Sequence, residues 1–190
     1  LLRADGQEDI CFALWSRSSG ATRTTALVQE LVLPGKGDRI LHGNVSFTPQ
    51  FFERALAVAA ARGAGLAMLH SHPLGAGWQG MSIQDVAAES GNAGAVMGAT
   101  DFPFVGLTLA GADQSWSARF WHRQAPRDWR PNSCENVRVI GEDLRTTFCP
   151  HLAPGPRANG RQVRTVSAWG EQRQAELARL RVGVVGAGST

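Results

Sequence analysis

Apolar residues along this chain change their period several times, and each change marks an element. "DICFALW" (9–15) is a continuous apolar run of β-compatible residues and predicts a buried strand. "TRTTALVQELVLP" (22–34) alternates and is β-rich, a second strand stopped by Pro34, with "SRSSGA" as the hairpin turn between them. "GKGDR" reads as a loop, and "ILHGNVSF" as a third strand or an irregular edge. At Thr48-Pro49 the pattern becomes helical, an N-cap with proline at the first helical position. The helix "PQFFERALAVAAARG" follows and closes at Gly63. "AGLAMLHSH" is a short apolar strand, "LGAGWQG" a loop, and "SIQDVAAES" the start of a second helix with Ser82 as N-cap and Asp85 in its first turn. "FPFVGLTLAG" and "SWSARFWH" predict a further hairpin around "ADQ". Trp116, Phe120 and Trp121 in that hairpin alternate poorly and read as core residues rather than a binding face.

Residues 1–122 therefore predict the order β-β-β-α-β-α-β-β, a mixed α/β (α+β) domain with a mixed β-sheet flanked by helices. Residues 123–166 carry Pro126, Pro131, Pro150, Pro154 and Pro156 and are expected to be an irregular linker or extension, apart from a possible strand "ENVRVIG". Residues 167–190 return to helical order in "SAWGEQRQAELARL", with Ser167 as its cap. The apolar "RVGVVGAGST" then runs into Gly186-x-Gly188, the opening of a nucleotide-binding βα turn. No internal repeat is evident.

Composition narrows the class. The 190 residues are 43% hydrophobic, enough for one sizeable core and part of another. No run of about 18 apolar residues exists, so no membrane span is expected. The opening "LLRADGQEDI" lacks a basic stretch followed by an apolar one, which argues against a signal peptide. Cys11, Cys134 and Cys149 are odd in number and widely spaced, as in a reduced, cytoplasmic protein. The net charge of +3 is uneven, with 7 basic and 10 acidic residues over 1–118 but 12 and 6 over 119–190. The basic residues of the second part are spread through a Pro- and Gly-containing stretch, which argues against a nucleic-acid surface.

The chemistry concentrates in "LHSHPLGAGWQGMSIQD" (69–85). Histidines two apart on a strand point to the same side, so His70 and His72 can reach one ion. Asp85, in the first turn of the next helix, can turn its carboxylate back towards them, although an acid there also suits the helix dipole. Two histidines, an aspartate and an open position make a tetrahedral hydrolytic site. Trp78, between the ligands, either covers a bound substrate or packs its own loop. His42 in "LHGN" could orient a ligand, though a turn histidine is the simpler reading. Cys134, Cys149 and His151 lack ligand spacing for a second zinc.

The set "HSHP…SIQD" resembles the JAMM (JAB/MPN) metalloprotease signature, His-x-His-Pro followed by Ser-x-x-Asp. The resemblance covers roughly residues 5–122 and implies the JAB/MPN, cytidine-deaminase-like architecture. It implies Zn2+ on His70, His72 and Asp85, and Ser82 as donor to the oxyanion, a role that competes with its reading as a helix cap. The family's catalytic Glu precedes a strand patterned Glu-x-x-Gly-x-x-x-Gly. "EDICFALW" places Glu8 there, with Cys11 and Trp15 where the family has glycines. Glu30 in "VQELVLP" is the rival base. Twelve residues separate His72 from Asp85, two more than is usual in the family, and the extra pair falls in "LGAGWQG". "GEQRQAELARLRVGVVGAGST" resembles the start of a ubiquitin-activating, ThiF-like adenylyltransferase domain. The pairing implies a zinc peptidase or isopeptidase that cuts after the C-terminal Gly of a ubiquitin-like protein, whose extended tail is the expected partner. The alternatives are a non-catalytic MPN scaffold for such a partner and a RadC-like JAB protein of DNA processing.

Overall fold

The computed structural model describes all residues except 43, 158, 182 and 184–190, and the side chains of 41 and 42 also lie outside the description. The Gly186-x-Gly188 turn and the His42 side chain therefore lie outside the described residues. Ten strands and three α-helices are present among the described residues. The centre is a six-stranded mixed sheet in the order β2 (Thr24–Val32), β1 (Ile10–Ser19), β5 (Gly65–His72), β6 (Val105–Ala110), β7 (Trp116–Ala125), β8 (Asp128–Ser133). Only β5 and β6 run parallel, and the helix α2 (Ile83–Thr100) forms the crossover between them. All other neighbours are antiparallel.

Strand alternation sorts the core into two layers. Ile10, Phe12, Leu14, Leu66 and Met68 face α1 (Pro49–Arg62) and α2, packing on Phe51, Phe52, Ala55, Ala93 and Val96. Cys11, Ala13, Trp15, Ala67, Leu69, Val105 and Leu107 face the opposite side, where Phe102, Phe120 and Val137 cover them. Because β1 and β5 are buried on both faces, they read as unbroken apolar runs. Trp121 is fully buried, while Trp116 and Phe120 pack at the edge of the second layer. The expected helix caps are present. Thr48 Oγ1 accepts the Phe51 N–H at the start of α1, and Gly63 closes it in the left-handed conformation.

The chain departs from expectation at three places. "ILHGNVSF" forms a separate hairpin of β3 (Arg39–His42) and β4 (Asn44–Phe47), so the element order gains a strand. The irregular linker expected over 123–166 is half strand. β7 continues to Ala125, β8 adds to the sheet, and the strand expected at "ENVRVIG" is present as β9 (Asn136–Ile140) and pairs with an unexpected β10 (Leu144–Phe148). Pro131 sits in β8, an edge strand, where a missing N–H is tolerated. The last helix, α3 (Val163–Arg179), begins four residues before Ser167, which therefore lies inside it and is not its cap. Gly170, at φ 87°, breaks the helix into two pieces. Arg179 ties its end to the preceding segment, donating to the Ala153 carbonyl at 2.6 Å and stacking over Phe148. Among the described residues no helix is long and apolar enough to cross a membrane.

Candidate metal centre

β5 delivers His70 and His72 at its C-terminal end, and α2 begins just beyond. The start of α2 is fixed by a reciprocal cap. Ser82 Oγ accepts the Asp85 N–H at 3.1 Å, and Asp85 Oδ2 accepts the Ser82 N–H at 2.7 Å. This holds the Asp85 carboxylate at the helix N-terminus, facing the strand end. Its two oxygens divide between the histidines: Oδ1 lies 3.5 Å from His70 Nε2, and Oδ2 lies 3.6 Å from His72 Nε2. One donor atom from each of the three residues falls within 4.8 Å of the others, the only such group of potential ligands among the described residues. Cys134, Cys149 and His151 do not form a second one, and burial pushes the Cys134 thiol up to about 11, away from the thiolate a metal needs.

The donor set fits a divalent ion. Both imidazoles and one carboxylate converge, and Nδ1 of His70 is buried with no hydrogen-bond partner among the described residues. The two histidines differ in surroundings. Burial pushes His70 down to about 4, against the pull of Asp85, so its ring stays neutral over a wide range. His72 is raised, first by its contact with Asp85 and further by Gln79 and the charge of Glu8. The Asp85 carboxyl is held well below its ordinary value. Burial pushes it up, and the His72, His70 and Ser82 interactions outweigh that.

The antiparallel pairing of β1 and β5 locates the two rival glutamates. Ile10 is opposite His70, and the Asp9 carbonyl accepts the Ser71 N–H at 3.1 Å. Glu8, half-buried and two residues before β1, is close enough for its charge to act on His72. Asp9 forms an ion pair with Arg39. Glu30 is opposite Leu14, which in turn is opposite Leu66, roughly 13 Å along the strands from His70 and on the outer strand. It pairs on the surface with Arg62 at 3.1 Å.

Two features beside the triad carry no sequence signal. Thr108, opposite His70 in β6, places Oγ1 3.4 Å from His70 Nε2 and accepts from Arg119 Nη1 at 2.7 Å. Arg119 is almost fully buried against Glu89, which is fully buried and also accepts the Trp121 indole N–H at 2.6 Å. Gly106 makes room for this pair, since a Cβ there would overlap both the carboxylate and the guanidinium. The second feature is Gln79, whose Oε1 lies 3.2 Å from His72 Nδ1. Trp78, half-buried, and Gln79 line a cavity of about 740 Å³ bounded by β7, β8 and residues 149–152. No protein-family model matches this chain, and no curated protein matches it.

Proposed function

We propose that this chain is a zinc-dependent peptidase or isopeptidase of the JAMM type, with the JAB/MPN architecture, acting after the C-terminal Gly of a ubiquitin-like protein. The observation that carries the reading is the convergence of His70, His72 and Asp85, with the charge of Glu8 felt at His72. A mixed sheet flanked by helices, with the ligands at the end of a central strand, is compatible with that architecture. His70, His72 and Asp85 would hold the ion, which when bound supplies a Lewis acid that acidifies water and polarises the scissile carbonyl. Glu8 takes the proton of the attacking water as its oxygen bonds to the carbonyl carbon, and delivers it to the nitrogen as the C–N bond breaks. Ser82 serves both helix and reaction. Its oxygen accepts from Asp85 N–H, which leaves its own hydrogen free to donate to the oxyanion. The cavity edged by Trp78 receives the extended tail. In the same reading the segment from residue 167 onward begins a ThiF-like adenylyltransferase, and the protein works in the cytoplasm.

The test is zinc content together with cleavage of fusions that end in a Gly-Gly ubiquitin-like tail, with and without chelator. The expected result is one zinc per chain and chelator-sensitive cleavage. Glu8→Gln keeps the zinc and loses about 10²–10⁴-fold in turnover, whereas His70→Ala loses both. Bound zinc with no cleavage of any fusion overturns the peptidase, and no zinc overturns the metal centre.

A further inference from the structure

The loop that joins the two parts of the candidate metal centre contains its own clamp. Gln79 donates its amide NH2 to the Ala76 carbonyl at 2.8 Å and to the Gly77 carbonyl at 3.2 Å. Carbonyl oxygens only accept, so these two bonds fix the orientation of the amide and leave Oε1 facing His72. That oxygen carries no hydrogen, so at the 3.2 Å contact the proton must belong to His72 Nδ1. The loop is itself braced. Gly77 N–H donates to Asp113 Oδ2 at 2.8 Å, and its φ of +66° is one that favours glycine. The Gly75 carbonyl accepts from Ala112 N–H at 2.9 Å, and the His72 carbonyl accepts from both Gly75 and Gly111 at 2.9 Å. Gly75 leaves the space that Gln79 fills, because a Cβ on it would overlap the Gln79 amide.

We infer that Gln79 is a positioning residue that holds His72 as its Nδ1–H tautomer, with Nε2 deprotonated and aimed at Asp85. A histidine that ligates through one nitrogen is commonly oriented through the other, and loss of such a partner costs about 10–100-fold in metal affinity. The affinity part of the inference rests on the metal reading of the triad, and the tautomer part does not.

The experiment is ¹⁵N NMR of the imidazole nitrogens in metal-free protein at alkaline pH, where His72 is neutral, combined with zinc titration against a chromogenic chelator. Wild type shows Nδ1–H at His72. Gln79→Leu loses that preference and binds zinc about 10–100-fold more weakly. Gly75→Ala leaves Gln79 intact but displaces its amide, and reproduces the Gln79→Leu tautomer shift. Gly75 has no positive φ, so alanine there strains no backbone. An unchanged Nδ1–H signal in both Gln79→Leu and Gly75→Ala overturns the clamp. If wild type binds no zinc, the metal reading fails by itself, and the tautomer comparison still decides the role of Gln79.

Discussion

Two acidic groups stand one helical turn apart on α2 and have opposite fates. Glu89 is sealed inside the fold, with both oxygens taken by Arg119 and a third bond from Trp121. Asp85 sits at the helix start with its oxygens towards two imidazoles that supply no fixed positive charge. The first network is closed: each charge meets its counterion, and Gly106 leaves room for the pair. The second is open, its carboxylate oxygens 3.5 and 3.6 Å from the two imidazole nitrogens with no side-chain cation between them among the described residues. A closed buried network stabilises one structure, while an open cluster of donors at a strand end is where an ion and a reaction fit. The two touch through Thr108, so the rigid region braces the reactive one.

Substitution of each acid separates the two roles. Glu89→Ala leaves Arg119 buried without its counterion and should cost about 3–5 kcal/mol of stability by chemical denaturation. Replacing the pair together, Glu89→Leu with Arg119→Met, should recover most of that loss. Asp85→Asn should abolish zinc binding and destabilise the metal-free protein less than Glu89→Ala does, because its partly exposed cap oxygen is kept while only its charge is lost. Equal destabilisation by Glu89→Ala and Asp85→Asn would erase the distinction between the regions.

The histidines sharpen it through pH. His70, pushed down to about 4 by burial, stays neutral in the fold where the unfolded chain takes up a proton near 6.5. The unfolded state then binds more protons, so this residue makes metal-free stability fall as pH drops from about 6.5 to 4. His72, raised first by Asp85, acts in the opposite sense. It contributes stability below its unfolded value, and that contribution is lost as pH rises through its folded one. Two-dimensional NMR of the metal-free protein should show His72 protonating first on acidification and His70 last. The reverse order would place the buried and open ends of the site wrongly. Zinc, which needs both rings neutral, should be displaced by acid as His72 takes up its proton.

The smallest effect is at Ser82. Ser82→Ala should cost about 1 kcal/mol through the lost cap, and Ser82→Gly only a few tenths. If the hydroxyl serves the reaction, turnover falls about 10²–10³-fold in both variants alike. If turnover instead tracks stability, Ser82 is a cap and nothing more.

The elements around the site were legible because their signals are local. Thr48, Pro49 and Gly63 bound α1, Ser82 and Asp85 start α2, and the apolar run 65–69 marks a strand buried on both faces. Within 123–148 the strand at "ENVRVIG" was legible and β8 was not, because β8 is an edge strand whose exposed Arg130 and Pro131 look like loop composition. Within the site, a two-residue spacing announces His70 and His72. That Glu8 and not Glu30 acts on His72 depends on the pairing of β1 with β5 across some sixty residues. Thr108, Arg119 and Glu89 are assembled from three elements and leave no spacing to read. Gln79 is defined by which carbonyls its amide meets, and that exists only in the folded loop.

One carboxylate oxygen, Asp85 Oδ2, both receives the Ser82 N–H and faces His72. Any ion drawn to the triad therefore competes for, or reinforces, the bond that begins α2. Occupancy and helix fraying become a single linked equilibrium, and the solvent exchange of the Ser82 amide would register the arrival of an ion without any catalysis taking place.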